Sequence, residues 1–234
     1  MKTVDVVIPA YNEEKDLPNC IAALWDFLNE HLSYQWQIVI ADNGSTDKTL
    51  AVAQALSQQY PRVTYVHLEQ KGRGRALRKA WLESKADAVS YMDVDLSTKL
   101  DAFPKLIQAL NEGYGVAIGS RLMRGSKTKR SVKREFTSRA YNLLIKAMFC
   151  SSFSDAQCGF KAVRRDVVQE IVPFIKDQAW FFDTELLLLA QKKGYRIKDV
   201  PVEWLEDAGT TVKVAKTAWE DIKGLFRVRF RPPF

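Results

Sequence analysis

The chain has 234 residues, of which 47% are hydrophobic and 27% charged, a balance that excludes disorder of the whole chain and suits one large α/β domain. Its net charge of +7 favours anionic partners such as phosphates, a membrane surface or nucleic acid. Three cysteines without CxxC spacing argue against a disulfide framework or a zinc site and indicate a reducing compartment.

The first half alternates predicted strands with predicted helices. Short apolar runs predict strands at residues 4–8, 35–41, 63–67 and 88–92, and apolar residues at helical spacing predict a helix after each of the first three. This alternation indicates a mostly parallel sheet with right-handed crossovers.

The second half is less regular. We expect strands at residues 114–120, 158–163 and 195–200, helices at 136–149 and 184–193, and a loop rich in glycine, serine and lysine at 121–133. Apolar and basic residues at helical spacing predict an amphipathic basic tail over residues 211–234, with Ala215, Trp219, Ile222 and Phe226 on one face. The remainder, residues 1–210, is predicted to form one catalytic domain, with a nucleotide-sugar half at 1–115 and an acceptor half at 116–210.

No signal peptide or membrane-spanning segment is predicted. The N-terminus leads directly into a strand, and no stretch approaches the roughly 20 apolar residues that cross a bilayer. We therefore expect a cytoplasmic protein, either soluble or peripheral at the cytoplasmic face of a membrane.

Polar clusters follow three of the predicted strands, at residues 9–14, 42–47 and 93–95. Because ligands of parallel α/β sheets bind outside the carboxyl ends of the strands, the three clusters should meet in one crevice. Asp93 and Asp95, one residue apart, are hard oxygen donors suited to Mg²⁺ or Mn²⁺. The alternative is a solvated loop that carries two acids.

Other residues near the strand ends have two interpretations each. Asp42 could accept from the N–H edge of a nucleobase or cap the next helix. Tyr11 could stack on the base or be a core aromatic. Of Glu13 and Glu14, one is expected to contact ligand and the other to be solvated. His31 and His67 are interpreted as structural.

Two basic features point to phosphate. The segment that begins at Lys71 contains Lys71, Gly72, Arg73, Gly74 and Arg75 just before a helix, where backbone N–H groups and basic side chains could hold phosphate. Arg121 ends another strand, and it opens a run of eight basic residues that extends to Arg139. The run suits an acidic acceptor or a membrane surface; the alternative is solvated surface charge.

The motifs VVIPAYNEE, ADNGSTDKT, KGRGRAL and YMDVDLST, in this order and spacing, resemble family 2 glycosyltransferases of the GT-A fold. GSRLMRGS, KREFTSRAYNLL, SDAQCGFKAVRR, WFFDTELL and VPVEWLED resemble the polyprenyl-phosphate branch of that family. That branch moves one sugar from a nucleotide donor to dolichyl or undecaprenyl phosphate. The segment DAQCGFK is similar to that of the glucosyl enzymes, which implies UDP-glucose as donor.

The resemblance also implies roles for single residues. Donor contacts fall to Pro9, Ala10, Tyr11, Glu13, Asp42, Lys71, Asp93, Val94, Asp95, Arg121 and Gln157, and the metal to Asp93 and Asp95. Arg134 and Ser138 would grip the acceptor phosphate, and Asp155 and Gln157 would line the sugar pocket. The residues expected to carry catalysis are Asp95, Arg121, Arg134 and Asp155.

A mechanism follows from the implied substrates. A lipid phosphate is an anion at neutral pH and can attack the anomeric carbon without strong base catalysis, inverting an α-linkage to β. Alternatives are GDP-mannose as donor, a sugar hydroxyl as acceptor, or a nucleotide-sugar-binding protein without catalysis. Nucleic-acid binding rests on the net charge alone, and we do not expect it.

Overall fold

A seven-stranded sheet forms the centre of the protein in the computed structural model, which describes residues 1–129, 131–205 and 214–234. The strands run in the order β3-β2-β1-β4-β7-β5-β8, and a separate pair is formed by β6 and β9. Their bounds are β1 Thr3–Ala10, β2 Gln35–Asn43, β3 Val63–Leu68, β4 Ala88–Met92, β5 Val116–Ser120, β6 Lys127–Lys129, β7 Phe160–Arg164, β8 Ile197–Pro201 and β9 Glu203–Leu205.

All pairings in the large sheet are parallel except those of β7, which is antiparallel to both β4 and β5. The predicted α/β fold with a mostly parallel sheet is therefore confirmed. Because β7 runs against its neighbours, the residues that precede it lie at the same edge as the end of β4: Phe160 pairs with Met92.

Helices cover both faces of the sheet. Their bounds are α1 Leu17–His31, α2 Thr49–Gln59, α3 Arg73–Glu83, α4 Phe103–Asn111, α5 Val132–Phe149, α6 Arg165–Ile171, α7 Phe182–Lys192 and α8 Val214–Phe230. Successive residues of β1 point to opposite faces: Val6 and Ile8 join one apolar core with α1 and α4, and Val7 joins the other with α3 and α7. Burial on both faces explains the continuous apolar runs of the strands.

The second half departs from the sequence prediction in several places. Residues 127–129, expected in a loop, form β6, which pairs in parallel with β9. Helix α5 begins at Val132, four residues before its predicted start at 136. Strand β7 begins at Phe160, two residues after its predicted start at 158. Helices α4 and α6 were not predicted.

The C-terminal helix is confirmed, and it packs on the core through residues outside the apolar face that the sequence predicts. Leu225 and Val228 are buried in the same core as α7, whereas Trp219 and Phe226 are 60% and 53% exposed. Ile222 is half-buried. The side chain of Ala215 and the predicted boundary at residue 210 lie outside the described residues. No helix of the described ranges is long and apolar enough to cross a bilayer.

Candidate active site

The loops after β1 and β2 are joined by hydrogen bonds, so the first two polar clusters do meet. Asn12, with a left-handed backbone at φ 58°, donates its N–H to Ser45 Oγ (3.0 Å) and accepts from Thr46 N (2.8 Å). Glu13 N donates to Thr49 Oγ1 at 2.8 Å. Glu14 accepts from Lys48 N at 3.0 Å, which gives it a structural role at the start of α2.

Asp42 lies at the end of β2, opposite Ala10 in the register, and is fully buried. Its Oδ2 lies 2.6 Å from Nδ1 of His67, which gives His67 the structural role expected of it. Its Oδ1 is buried and has no hydrogen-bond partner among the described residues. A buried oxygen without a partner costs about 1–3 kcal/mol. An N–H group of a bound nucleobase would satisfy it.

Tyr11 and Lys71 contact each other beside this carboxylate. The Lys71 ammonium lies 3.3 Å from the centroid of the Tyr11 ring, a cation–π contact. One face of the ring is therefore covered, and a nucleobase would stack on the other face. Pro9 and Ala10 are the last residues of β1 and directly precede Tyr11.

The basic segment before α3 is engaged with the protein itself. Gly72 N donates to Asn43 Oδ1 at 2.5 Å, and Arg75 N donates to the carbonyl of Gln178 at 3.2 Å. A Cβ at Gly74 would lie 2.7 Å from Cβ of Phe182, so the glycine permits close packing. The prediction that backbone N–H groups of this segment hold phosphate is therefore wrong for Gly72 and Arg75. Lys71 stays a candidate.

Arg73 points inward and joins two acids from different parts of the chain. It donates to Asp93 Oδ1 and, at 2.8 Å, to Asp183 Oδ2. Lys161, fully buried, lies 2.7 Å from the other oxygen of Asp183, which also accepts from the Tyr91 hydroxyl. Although burial opposes ionisation, Lys161 and Arg73 hold the pKa of Asp183 below its usual value. The sequence analysis does not predict this buried cluster. The signal that could have indicated it is Asp183, an acidic residue within an apolar helical segment.

Asp93 and Asp95 follow β4 at the edge of the crevice. Asp93 keeps 43% of its side chain exposed; partial burial, with the charge of Asp95, raises its pKa against the lowering effect of Arg73. Asp95 is exposed, and its Oδ1 accepts from Ser97 N at 2.9 Å. Val94, buried between them, anchors the turn.

The pair fits a divalent cation by the chemistry of its donor atoms. Asp93 and Asp95 offer hard carboxylate oxygens one residue apart, directly after β4, the ligand type that Mg²⁺ and Mn²⁺ prefer. No group of three or more His, Cys, Asp or Glu side chains suited to a metal occurs within the described residues. The remaining ligands would be oxygens of substrate and water, as Mg²⁺ prefers.

Arg121 is held by Asp155 through a two-pronged ion pair. Its Nε and Nη2 lie 2.8 and 3.0 Å from the two carboxylate oxygens, and its backbone N–H donates at 3.1 Å. Burial alone would raise the pKa of Asp155, but the charge and hydrogen bonds of Arg121 outweigh that effect and hold the pKa below its usual value. The pair fixes the guanidinium in place, and its predicted contact with a diphosphate stays a prediction.

Residues 155–159 run from this ion pair to Asp93. Gln157 N donates to Asp155 Oδ1 at 3.2 Å. At the other end, a Cβ on Gly159 would lie 1.9 Å from Asp93 Oδ2, so any side chain there would displace the carboxylate. The exposed Gln157 lies between the two contacts, and its Nε2 donates to Asp221 of α8 at 3.4 Å. Sequence reasoning missed both Gly159 and Asp221.

Arg134 and Ser138 lie one turn apart on α5 and therefore on one face of that helix. Ser138 is buried, and its Oγ has no hydrogen-bond partner in the described part of the chain. Asn142, one turn further, accepts from Ala156 N at 2.9 Å and ties α5 to residues 155–159. The predicted acceptor residues are thus on an element attached to the predicted sugar pocket.

Comparison with known proteins identifies relatives of the whole chain. The family described as "Glycosyl transferase family 2" matches residues 5–172. Glycosyltransferase AglD of Haloferax volcanii is 34% identical over 225 residues, which cover 95% of this chain and 35% of AglD. The chain thus spans about a third of AglD. The dolichyl-phosphate beta-glucosyltransferases of Saccharomyces cerevisiae and Mus musculus are 29% and 30% identical, covering 97% and 98% of this chain and 74% and 76% of theirs.

A solved structure supports the fold. Glucosyl-3-phosphoglycerate synthase from Mycobacterium tuberculosis, in complex with Mn²⁺, UDP-glucose and phosphoglyceric acid, superposes with a TM-score of 0.72. The two chains are 19% identical, and the match covers 97% of this chain and 79% of the synthase. At that identity, the likeness shows a shared fold.

Proposed function

The chain belongs to glycosyl transferase family 2 and is a glycosyltransferase with the GT-A fold, and on that basis we propose that it transfers glucose from UDP-glucose to a dolichyl-type polyprenyl phosphate. The observation that carries the proposal is the meeting, at one sheet edge, of Asp42, the Asp93–Asp95 pair and the Arg121–Asp155 ion pair. The dolichyl-phosphate beta-glucosyltransferases, similar over nearly the whole chain, support the choice of acceptor and sugar.

The donor is assigned to the crevice between β1, β2 and β4. Asp42 would accept from the base with its unpartnered Oδ1, and Tyr11 would stack on the base. A Mg²⁺ or Mn²⁺ ion held by Asp93 and Asp95 would neutralise charge on the diphosphate leaving group. Lys71 and Arg121 would add positive charge to the donor site.

The acceptor is assigned to the α5 side of residues 155–159. Arg134 and Ser138 would hold the lipid phosphate through a charged and a neutral hydrogen bond. An ionised phosphate oxygen forms the new bond to the anomeric carbon as the bond from that carbon to the diphosphate breaks, so no general base is required. A single in-line displacement of this kind inverts an α-linked donor to a β-linked product.

We propose that the protein works at the cytoplasmic face of a membrane, where the exposed surface of α8 would bring it to a membrane-bound acceptor. Trp219, Phe226 and Phe230 are 60%, 53% and 70% exposed, and the basic residues Lys223 and Arg229 lie on the same helix. Helix α5 adds Phe136 (74% exposed) and Leu143 (68%). Apolar side chains among basic ones can lie in the headgroup layer of an anionic bilayer, where each basic residue contributes about 1 kcal/mol.

A donor panel tests the proposal. The purified chain is incubated with dolichyl phosphate in detergent, with Mg²⁺ or Mn²⁺, and with UDP-glucose or GDP-mannose, and lipid-linked sugar is counted. We expect transfer from UDP-glucose. Arg134→Ala should raise the KM for the lipid phosphate and leave the affinity for UDP unchanged, whereas Arg121→Ala should weaken the affinity for UDP.

Three results would favour the alternatives. Transfer from GDP-mannose alone would reverse the donor assignment. Transfer to a sugar hydroxyl, but not to dolichyl phosphate, would replace the acceptor. Binding of UDP-glucose without transfer to any acceptor tested would indicate a nucleotide-sugar-binding protein.

A further inference from the structure

Helix α8 places a buried carboxyl group beneath the exposed Gln157. Asp221 is 4% exposed, and its Oδ2 accepts from Gln157 Nε2 at 3.4 Å. Its Oδ1 is buried and has no hydrogen-bond partner within the described ranges. Asp221 therefore offers one oxygen to Gln157 and has acceptor capacity to spare.

The position of Asp221 is fixed because α8 is held closely to α7. A Cβ on Gly224 would lie 2.5 Å from the ring of Phe181, so the helix approaches that ring as only glycine allows. Three residues further, Arg227 donates to Glu185 at 2.6 Å. Gly224 and Arg227 are less than one helical turn apart, and their two contacts fix both the distance of α8 from α7 and the rotation of α8 about its axis.

The chemistry of the pair dictates the orientation of the Gln157 amide. An ionised carboxylate only accepts hydrogen bonds, whereas an amide donates through its nitrogen and accepts through its oxygen. The nitrogen of Gln157 must therefore face Asp221, and the oxygen faces away from it. No hydrogen bond to that oxygen occurs among the described residues, and Gln157 lies between the Arg121–Asp155 pair and Asp93.

We propose that Asp221 is a positioning residue of the donor site, which holds Gln157 so that its amide oxygen is presented as an acceptor to a hydroxyl of the transferred sugar. The identity of that ligand as a sugar rests on the proposed function; the control of the amide by Asp221 does not. Helix α8 thereby takes part in recognition of the sugar as well as in closing the core.

The charge state of Asp221 supports the proposal and supplies a readout. Burial, followed by the charge of Asp177, raises the pKa of Asp221 to about 7, against the lowering effects of the Gln157 amide and the nearby Tyr141 hydroxyl. Asp183 of α7 adds a further negative charge, and Tyr141 is the titratable group that faces Asp221 from α5. A protonated Asp221 can donate to an amide oxygen, so the Gln157 amide is free to reverse as the pH falls through that value.

The test observes the amide itself. In a ¹⁵N-labelled sample without substrate, the side-chain NH₂ signal of Gln157 is assigned by its absence in Gln157→Glu and followed from about pH 5.5 to about pH 8.5, a range that brackets the titration. We expect a shift with a midpoint near 7 in the wild type and none in Asp221→Asn, which keeps the size of the side chain. Glu220→Gln removes the same charge from an exposed neighbour and should leave the titration unchanged.

Steady-state kinetics distinguish a positioning role of Asp221 from a purely structural one. Asp221→Asn should raise the KM for UDP-glucose about tenfold, the size of one lost hydrogen bond, and leave the Kd for UDP unchanged. Equal loss of UDP affinity would overturn the proposal, as would a Gln157 signal that does not titrate in the wild type or titrates unchanged in Asp221→Asn. If the amide titrates as expected and UDP-glucose is not a substrate, the proposed donor is wrong and the control of Gln157 by Asp221 stands.

Discussion

Replacing Asp183 with Asn tests the buried charge cluster behind the candidate metal pair. The change keeps the shape of the side chain and removes the negative charge that Lys161 and Arg73 share. Lys161 is fully buried and keeps only two backbone carbonyls, those of Ala156 at 3.0 Å and Cys158 at 2.9 Å, and the Tyr91 hydroxyl at 3.3 Å. The ammonium ion would therefore stay buried without a hydrogen-bonded counter-ion.

Breaking a buried ion pair from one side costs about 3–5 kcal/mol. Because the two carbonyls still accept from Lys161, we expect the lower end, about 3 kcal/mol of unfolding free energy. For a domain of this size, that corresponds to a fall in Tm of roughly 10 °C. Urea denaturation at neutral pH, followed by tryptophan fluorescence, measures it. Asp166→Asn, which breaks the exposed ion pair with Arg164, is the matched control and should cost less than about 1 kcal/mol.

The pH dependence of this contribution has a definite sign. The pKa of Asp183 is lowered in the folded protein, so its stabilisation is fully present above the ordinary pKa of an aspartate, 3.8, and is lost only as the pH falls below that value through the folded pKa. The difference between wild type and Asp183→Asn should therefore be constant from neutral pH to about pH 5. A loss below 1 kcal/mol, equal to that of the control, would refute the account of the cluster.

Three further predictions concern the site and the surface. Gly159→Ala should abolish transfer and weaken the metal-dependent affinity for UDP, because its Cβ would lie 1.9 Å from Asp93 Oδ2 and displace that carboxylate; a fully active variant would show that Asp93 does not need its present position. Asp95→Asn should remove activity at all Mg²⁺ and Mn²⁺ concentrations and leave the Tm within about 2 °C of wild type, since Asp95 is exposed; full activity in EDTA would contradict the metal proposal. Trp219→Ser with Phe226→Ser should weaken co-sedimentation with anionic vesicles at low salt, with Tyr65→Ser, an exposed aromatic on β3, as control; equal vesicle binding by all three proteins would refute the docking surface.

The sequence predicts the first half well because its signals are local. The strands that end at Ala10, Asn43 and Met92 are runs of apolar residues, and the polar clusters after them follow within a few positions. Parallel topology then places those clusters at one edge without any knowledge of side-chain contacts.

The rest depends on partners that are distant in the sequence. Arg73 looks like a phosphate ligand until Asp183, 110 residues away, is seen beside it. Strand β6 has three residues and is specified by its pairing with β9 at Glu203–Leu205, which no periodicity in a lysine-rich loop reveals. Asp221 lies on α8, which the sequence analysis interprets from its apolar and basic residues alone. The sequence pattern therefore does not indicate the contact between Asp221 and Gln157.

The reversed direction of β7 has a consequence for how specificity can diverge in this architecture. Residues 155–159 precede β7 and take no part in the strand pairings of β1, β2 or β4, so the exposed Gln157 can change without shifting the register of those strands, whereas Asp155 and Gly159 are tied to Arg121 and Asp93. Under the proposed function, the contacts to the sugar and those to the nucleotide therefore lie on separate pieces of chain. Under the proposed function, exchanging Gln157 together with its support Asp221 between homologues should change the sugar that is accepted while the nucleotide stays the same.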